Sequence, residues 1–168
     1  MELIAAIQTR SSAARLAEPG PTPEHLDIIL AAAARAPDHG RLMPWRFIVL
    51  KDTMRQAFTT AAAQAKRARL PDMTAEQFAA ERGKLDRSPT IVVIGCAVNR
   101  DQTKIPEIEQ VVSVGAAAQN LFLAAHDMGY GVMWKTGAAA YDPAVKATVG
   151  LLPDDHIVAI MHLGARVK

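Results

Sequence analysis

Three shortages in this sequence each exclude a class of protein. Cys96 is the only cysteine among 168 residues, so neither an internal disulfide nor a cysteine-based metal site is possible. The longest apolar run, residues 91–98, is far too short to cross a membrane, and residues 1–4 do not resemble a signal peptide, so we expect a cytoplasmic protein. The 19 Lys and Arg against 17 Asp and Glu leave a net charge of +2, too small to indicate a nucleic-acid partner.

Several motifs that identify enzyme classes are also missing. There is no Gly-x-Ser-x-Gly nucleophile elbow, no P-loop and no complete Gly-x-Gly-x-x-Gly fingerprint. The five histidines lack metal-ligand spacing, so we expect no metal site. Of these histidines, His126 and His162 have apolar neighbours in the sequence, and we expect both to be structural. Motif spacing alone therefore leaves the function open.

Hydrophobic periodicity predicts an α+β fold. Half of the residues are hydrophobic, which is enough for a substantial core, and no repeat or linker divides the chain, so we expect one domain over residues 1–168. Helices are predicted near residues 3–7 and at residues 22–35, 52–69, 74–85, 108–128 and 142–150. Strands are predicted at residues 47–50, 91–94, 132–134 and 157–161.

The helix predicted at residues 108–128 is apolar nearly all round, which is typical of a helix at the centre of a fold. Gly115 and the neighbouring alanines allow another backbone to approach closely. The apolar surface of this helix exceeds what a chain of 168 residues easily covers, which favours a homodimer with a symmetric apolar interface.

Two polar segments are candidates for a binding site. Residues 34–47 contain three Arg with Asp38, His39 and Trp45, and Pro and Gly residues make this segment an ordered loop. Arg10-Ser11-Ser12 can bind a phosphate through paired guanidinium donors and hydroxyls. The same side chains can instead be solvated in the first segment, or complete the hydrogen bonds of a helix end in the second. Residue types alone leave both alternatives open.

The motifs resemble the nitroreductase family when they are taken together. They occur in the family's order and span nearly the whole chain: Arg10-Ser11-Ser12, Arg35-Ala36-Pro37, Pro44-Trp45-Arg46-Phe47, the Gly-Ala-Ala-x-Gln-Asn-Leu segment within residues 114–125, Gly129-Tyr130-Gly131 and Trp134-Lys135-Thr136-Gly137. The helix followed by Gly-x-Gly is the most specific of these signals. The short length and the Ala-Pro-Asp-His loop are similar to the minimal, single-domain branch of NAD(P)H nitroreductases.

This resemblance implies a nitroreductase-like fold, with a mixed central sheet flanked by helices, and an obligate homodimer with FMN in its interface. The residues that it assigns to FMN binding are Arg10, Ser11 and Ser12 at the phosphate and ribityl end, Arg35 beside them, His39 reaching the flavin of the other subunit, and Trp134, Lys135 and Thr136 along the isoalloxazine. No protein side chain is assigned a catalytic role, because the flavin carries the chemistry.

The implied function is that of an FMN-dependent NAD(P)H oxidoreductase. NADPH or NADH would reduce the flavin, and a nitroaromatic or quinone acceptor would then take the electrons in a ping-pong cycle. A flavin-binding carrier or sensor without turnover is the alternative, and an interaction module that has lost flavin is a third. One departure from the family bears on the flavin: Ala13-Ala14 stand where many members carry a Lys near the ring, so another cation has to serve there.

Overall fold

A five-stranded sheet forms the centre of the computed structural model, which describes residues 2–167. Its strands are β1 (Leu16–Ala17), β2 (Trp45–Val49), β3 (Thr90–Cys96), β4 (Gly131–Lys135) and β5 (His156–Arg166). The four longer strands lie in the order β2-β3-β5-β4, and β1 pairs with the end of β5. The α+β class is confirmed, and four of the five strands lie where sequence patterns predicted them.

The sheet is antiparallel at every described pairing, so the expectation of a mixed sheet is wrong for this chain. The reason lies in the position of β5. Strands β3 and β4 run in the same direction, but β5 lies between them and runs opposite to both. No parallel pair of neighbours therefore forms.

The central strand β5 is much longer than its predicted core at residues 157–161. Its later residues include a histidine and a glycine, which do not follow a strand pattern. Gly164 is needed there because a Cβ at this position would lie 2.8 Å from the backbone oxygen of Ala17 and 2.8 Å from the Pro89 ring. The extension brings the end of β5 against β1, close to the start of the chain.

Within the described part of the chain, six α-helices surround the sheet: α1 (Leu3–Thr9), α2 (Pro23–Ala33), α3 (Asp52–Arg69), α4 (Ala75–Arg82), α5 (Glu107–Asp127) and α6 (Pro143–Ala147). Short 3-10 turns at His39–Arg41, Gly83–Arg87 and Ala138–Tyr141 were not predicted. Helix α2 is capped by Thr22, which accepts from the His25 amide, and α4 by Thr74, which forms a capping box with Gln77. Within residues 2–167, no helix has the length and hydropathy to span a membrane.

The two faces of the sheet pack against different helices. Alternate residues of each strand point to opposite faces, so Val92 and Ile94 pack under α2 and α5, whereas Ile91 and Val93 pack under α3 and α6. Helix α5 buries eight side chains, which confirms its predicted central position. We call these two sides the α5 face and the α3 face.

Candidate functional site

A cavity of about 810 Å³ lies on the α3 face, beside the edge strand β4. Among residues 2–167, its wall contains one carboxylate, Glu81, and four cationic side chains, which are those of Arg15, Lys84, Arg87 and Lys135. The remaining lining is largely apolar and includes Phe58, Met133 and Ile160. A concave site with apolar walls and a few charged groups is typical of small-molecule binding, and the excess of cations favours a ligand with negative charge.

The segment that follows α1 lies directly beside β4. The Ala13 amide donates to the carbonyl of Val132 at 2.8 Å, and Leu16 pairs with Arg166 at the end of β5. Gly131 permits this approach, because a Cβ there would lie 2.7 Å from the Leu16 side chain and 3.1 Å from the Ala13 Cβ. The Arg10-Ser11-Ser12 segment is thereby held near the first residue of β4.

A second arginine, which sequence reasoning missed, joins this segment. Arg166 donates from Nη1 to the Ser11 hydroxyl and from Nη2 to the Ser11 carbonyl, both at 2.9 Å. The Arg10 guanidinium lies 4.6 Å from the centroid of the Phe122 ring, which fixes it at the end of α1. Two guanidinium groups and the exposed hydroxyls of Ser11 and Ser12 make a donor set suited to a phosphate. The sequence offered no signal for Arg166 because its role depends on the unexpected length of β5.

The other end of β4 reaches the cavity. Lys135 and Thr136 are exposed and line the cavity wall. Trp134 points to the opposite, α5 face, where its indole Nε1 donates to the Val158 carbonyl at 3.3 Å. Of the three residues predicted along the ring, two therefore offer side chains to the cavity, and Trp134 can contribute only its backbone.

Arg35 and His39 lie apart from this group within one chain. His39 Nδ1 lies 2.5 Å from the Glu109 carboxylate in the first turn of α5. It lines a smaller cavity of about 320 Å³ together with Ile108 and Val112. Arg35 is exposed just after α2, and within the described residues its side chain has no hydrogen bond or ion pair. The structure of a single chain therefore does not bring these two residues to Arg10 or Lys135.

The loop that carries His39 has a well-defined, strained backbone. Gly40 has φ +72°, and Arg41 and Met43 also have positive φ values, 55° and 47°. The Asp38 carboxylate accepts from the Met43 amide at 2.6 Å and closes the loop. Positive φ at non-glycine residues is costly and is enriched at functional sites. The predicted ordered loop is confirmed, and its geometry fixes the position of His39.

The cations of the main cavity differ in whether an ion pair within the described chain already compensates them. Burial works to raise the pKa of Glu81, but hydrogen bonds from Lys66 and Lys84 outweigh burial and lower that pKa. Glu81 lies 2.6 Å from Lys66 Nζ and 2.5 Å from Lys84 Nζ, so its negative charge is compensated by these two lysines. Within residues 2–167, no ion pair is present at Arg15, Arg87 or Lys135. These three cations remain available to a ligand.

The site is therefore an elongated one that follows β4. The donor set of Arg10–Ser12 and Arg166 lies beside the first residue of β4, and the cavity runs along the strand from Ala13–Leu16 to Lys135 and Thr136, a span of about 14 Å for four steps of an extended chain. This layout suits a long ligand with a phosphate at one end and a flat, polar ring at the other. The structure therefore defines an α+β protein with an elongated candidate binding site along a sheet edge.

The chain belongs to the nitroreductase family, a family of oxidoreductases, because residues 7–165 match the family model. The Escherichia coli K12 protein YdjA, which carries a provisional NAD(P)H nitroreductase name, is 36% identical over 164 residues, covering 98% of this chain and 88% of that protein. A Haemophilus influenzae protein, which also carries a provisional NAD(P)H nitroreductase name, is 29% identical over 168 residues. The match covers 100% of this chain and 90% of that protein.

Solved structures show the same fold. A nitroreductase-like family protein from Bacillus cereus has a TM-score of 0.79 at 23% identity, covering 100% of this chain and 87% of that chain. A nitroreductase from Bacteroides fragilis, solved with bound FMN, has a TM-score of 0.73 at 21% identity, covering 99% and 89%. These similarities confirm the predicted nitroreductase-like fold.

Proposed function

We propose that this protein is an FMN-dependent NAD(P)H oxidoreductase of the nitroreductase type, with one FMN-binding domain over residues 1–168. The observation that carries the proposal is the layout of β4, with a phosphate-type donor set beside its first residue and a cation-lined cavity that runs along the strand to Lys135 and Thr136. FMN has the matching shape, with its phosphate and its ring at opposite ends. The FMN-bound relative from Bacteroides fragilis supports this choice of ligand.

At the phosphate end, Arg10, Ser11, Ser12 and Arg166 hold the ligand. The existing bonds from Arg166 to Ser11 preorganise this end of the site, because they fix one guanidinium before the ligand arrives. Preorganised groups lose little conformational freedom on binding. Arg10 adds a second guanidinium, and the exposed serine hydroxyls complete the donor set.

At the ring end, Lys135 and Thr136 line the cavity together with the backbone of Trp134. We assign Lys135 as the cation that replaces the family lysine missing at Ala13-Ala14. Lys135 lines the cavity and has no ion-pair partner in the described chain, whereas Lys84 is tied to Glu81. When bound, FMN supplies the hydride and electron transfer between NADPH or NADH and a nitroaromatic or quinone acceptor, in a ping-pong order. The chain itself binds and orients the reactants.

The active form in this proposal is a cytoplasmic homodimer with α5 in the interface. Two apolar side chains of α5 are turned outward, Ile108 at 65% and Val112 at 63% exposure. One turn further on, a Cβ built at Gly115 meets nothing within 4 Å, so this part of the helix offers an open, flat surface. His39 lies beside Ile108 and Val112, and we assign it, together with Arg35, to the flavin site of the partner subunit, as the family resemblance implies.

An absorbance spectrum tests this function. The purified protein, reconstituted with FMN and washed, should be yellow, and NADPH or NADH under anaerobic conditions should bleach it. Addition of a nitroaromatic or a quinone should then restore the colour. A protein that stays colourless after reconstitution contradicts the proposal. A yellow protein that neither NADPH nor NADH bleaches would instead indicate the carrier or sensor alternative.

A further inference from the structure

A buried histidine lies in the wall of the main cavity, and the proposed function does not yet use it. His162 is in β5, opposite Met133 of β4 and Ile91 of β3, and only 2% of it is exposed. Met133 and His162 both line the cavity on the α3 face. The expectation from sequence was a structural histidine.

One nitrogen of this ring is paired, and the other is not. His162 Nδ1 lies 2.8 Å from the hydroxyl oxygen of Ser88, itself buried. His162 Nε2 is buried and has no hydrogen-bond partner among residues 2–167. Buried polar atoms in native proteins are nearly always paired, and an unpaired one is costly. An orphaned nitrogen in a cavity wall therefore points to a partner that the cavity receives.

The hydrogen-bond network assigns the proton. If the Ser88 hydroxyl donates to Nδ1, both of these atoms are satisfied and Nε2 carries the ring proton. In the reverse arrangement the Ser88 hydroxyl proton would need another acceptor, and the described residues provide none. Burial, followed by the charges of Lys135 and Arg55, lowers the pKa of His162 to about 4, so the ring is neutral near pH 7. The unpaired atom is therefore an N–H donor.

We propose that His162, oriented by Ser88, donates a hydrogen bond from Nε2 to an acceptor atom of the ring bound in this cavity, which under the proposed function is the flavin ring. Two flexible side chains line the cavity together with His162. Met133 and Lys135 are unbranched and line the same cavity, so a change of rotamer can open Nε2 to a ligand. A carbonyl or imine nitrogen on a flat heterocycle has the acceptor geometry that such an N–H needs.

Two amide variants separate this role from a purely structural one. In His162→Asn the amide can replace Nδ1 and keep the bond to Ser88, but it cannot reach the position of Nε2. In His162→Gln the longer side chain can place its amide N–H near Nε2. The loss of one neutral hydrogen bond predicts about 2- to 10-fold weaker FMN binding for His162→Asn. His162→Gln should stay closer to the wild type.

The measurement is FMN titration by fluorescence quenching, together with the visible spectrum of bound flavin and the melting temperature of each apoprotein. His25→Asn is the matched control, because His25 Nδ1 is also bonded to a hydroxyl, that of Tyr130 at 2.7 Å, but lines none of the described cavities. The control should bind FMN as the wild type does. Ser88→Ala is a milder second variant, which frees the ring and should weaken FMN binding less than His162→Asn does.

The inference is supported if His162→Asn weakens FMN binding and shifts the flavin absorption while His162→Gln restores both. Unchanged FMN affinity in both His162 variants and in Ser88→Ala overturns the inference and leaves the proposed function intact. A larger loss in His162→Gln than in His162→Asn, or equal losses in both, also overturns it by assigning His162 to packing. A wild-type protein that binds no FMN overturns the inference and the proposed function together.

Discussion

The α5 face and the α3 face of the sheet share the same strands but are built differently. Under α5, the strands present Val92, Ile94 and Met161 to a closed apolar layer. Under α3, the same strands present Ile91 and Val93 to a similar layer, but beside β4 this layer gives way to an open cavity with charged walls. The alternation of one strand, β4, places Trp134 on the closed face and Lys135 on the open one.

This difference predicts that most packing stability comes from the α5 face and that ligand binding takes place on the α3 face. A closed layer of apolar side chains gains free energy by removing them from water. A cavity lined by Arg15, Arg87 and Lys135 gives up part of that gain to keep charged groups available to a ligand. Substitutions of packed side chains on the closed face should therefore lower the free energy of unfolding, whereas substitutions of the exposed cations on the open face should lower ligand affinity.

The largest expected effect is on the closed face. Leu121 of α5 is fully buried there, and Leu121→Ala should lower the free energy of unfolding by about 2–5 kcal/mol, because it leaves a cavity in a packed layer. Urea denaturation at one fixed protein concentration measures this. Leu152→Ala is the control, because Leu152 is 63% exposed and should change stability by less than about 0.5 kcal/mol. A loss below about 1 kcal/mol for Leu121→Ala would mean that this layer is not tightly packed.

The open face should contribute an acid-sensitive part of the stability. The pKa of His162 is lowered to about 4 in the folded chain, against about 6.5 when unfolded, so the unfolded chain binds more protons between these values. The free energy of unfolding should therefore fall as the pH drops from 6.5 to 4, by at most about 3 kcal/mol. Urea denaturation across this range should show a flatter profile for His162→Leu, and identical profiles would contradict the assignment.

At Arg10 the effect on ligand binding should be larger than the effect on stability. Loss of its guanidinium removes charge-assisted hydrogen bonds worth roughly 1.5–3 kcal/mol, so Arg10→Ala should bind FMN about 10- to 150-fold more weakly. Arg10→Lys should be intermediate, because Lys keeps the charge but loses the paired donors. The variant should remain folded, since Arg10 lies at the end of α1. An FMN affinity in Arg10→Ala equal to that of the wild type would show that Arg10 does not bind the ligand.

The smallest effect on FMN affinity is expected at His39, which in the proposed dimer contacts the flavin of the partner subunit and not that of its own. His39→Ala should weaken FMN binding by about 2- to 10-fold, the value of one neutral hydrogen bond, while light scattering still reports a dimer. Unchanged affinity would show that His39 serves its own loop and Glu109 alone. A flavin-loaded monomer at micromolar concentration would contradict the shared site altogether.

Sequence patterns predicted the elements whose signals are local. The helix that begins after Thr22 and the one that begins after Thr74 have cap residues whose hydrogen bonds the structure contains. The two-residue strand β1 has no periodicity to detect, and it forms because β5 extends far enough to pair with it. The length of β5 in turn depends on the close approach at Gly164, which is a tertiary contact.

The same limit applies to the candidate site. Arg10, Ser11 and Lys135 belong to contiguous motifs, and the family resemblance was enough to propose them as site residues. Arg166 was not, because only the pairing of β5 with β1 places it on Ser11. The sequence predicts that His162 is a structural histidine of the core. Only the unpaired Nε2 in the cavity wall indicates a role in binding.

The most direct test of the account compares FMN with riboflavin, which lacks the phosphate, on the wild type and on Arg166→Ala. If Arg166 belongs to the phosphate end and the ring lies in the cavity, the variant should lose at least about tenfold in FMN affinity. Its weaker affinity for riboflavin should change by less than about twofold. Fluorescence-quenching titrations give all four dissociation constants. Equal losses for both ligands would contradict the account, because Arg166 would then act on the ring or on the fold and not on the phosphate.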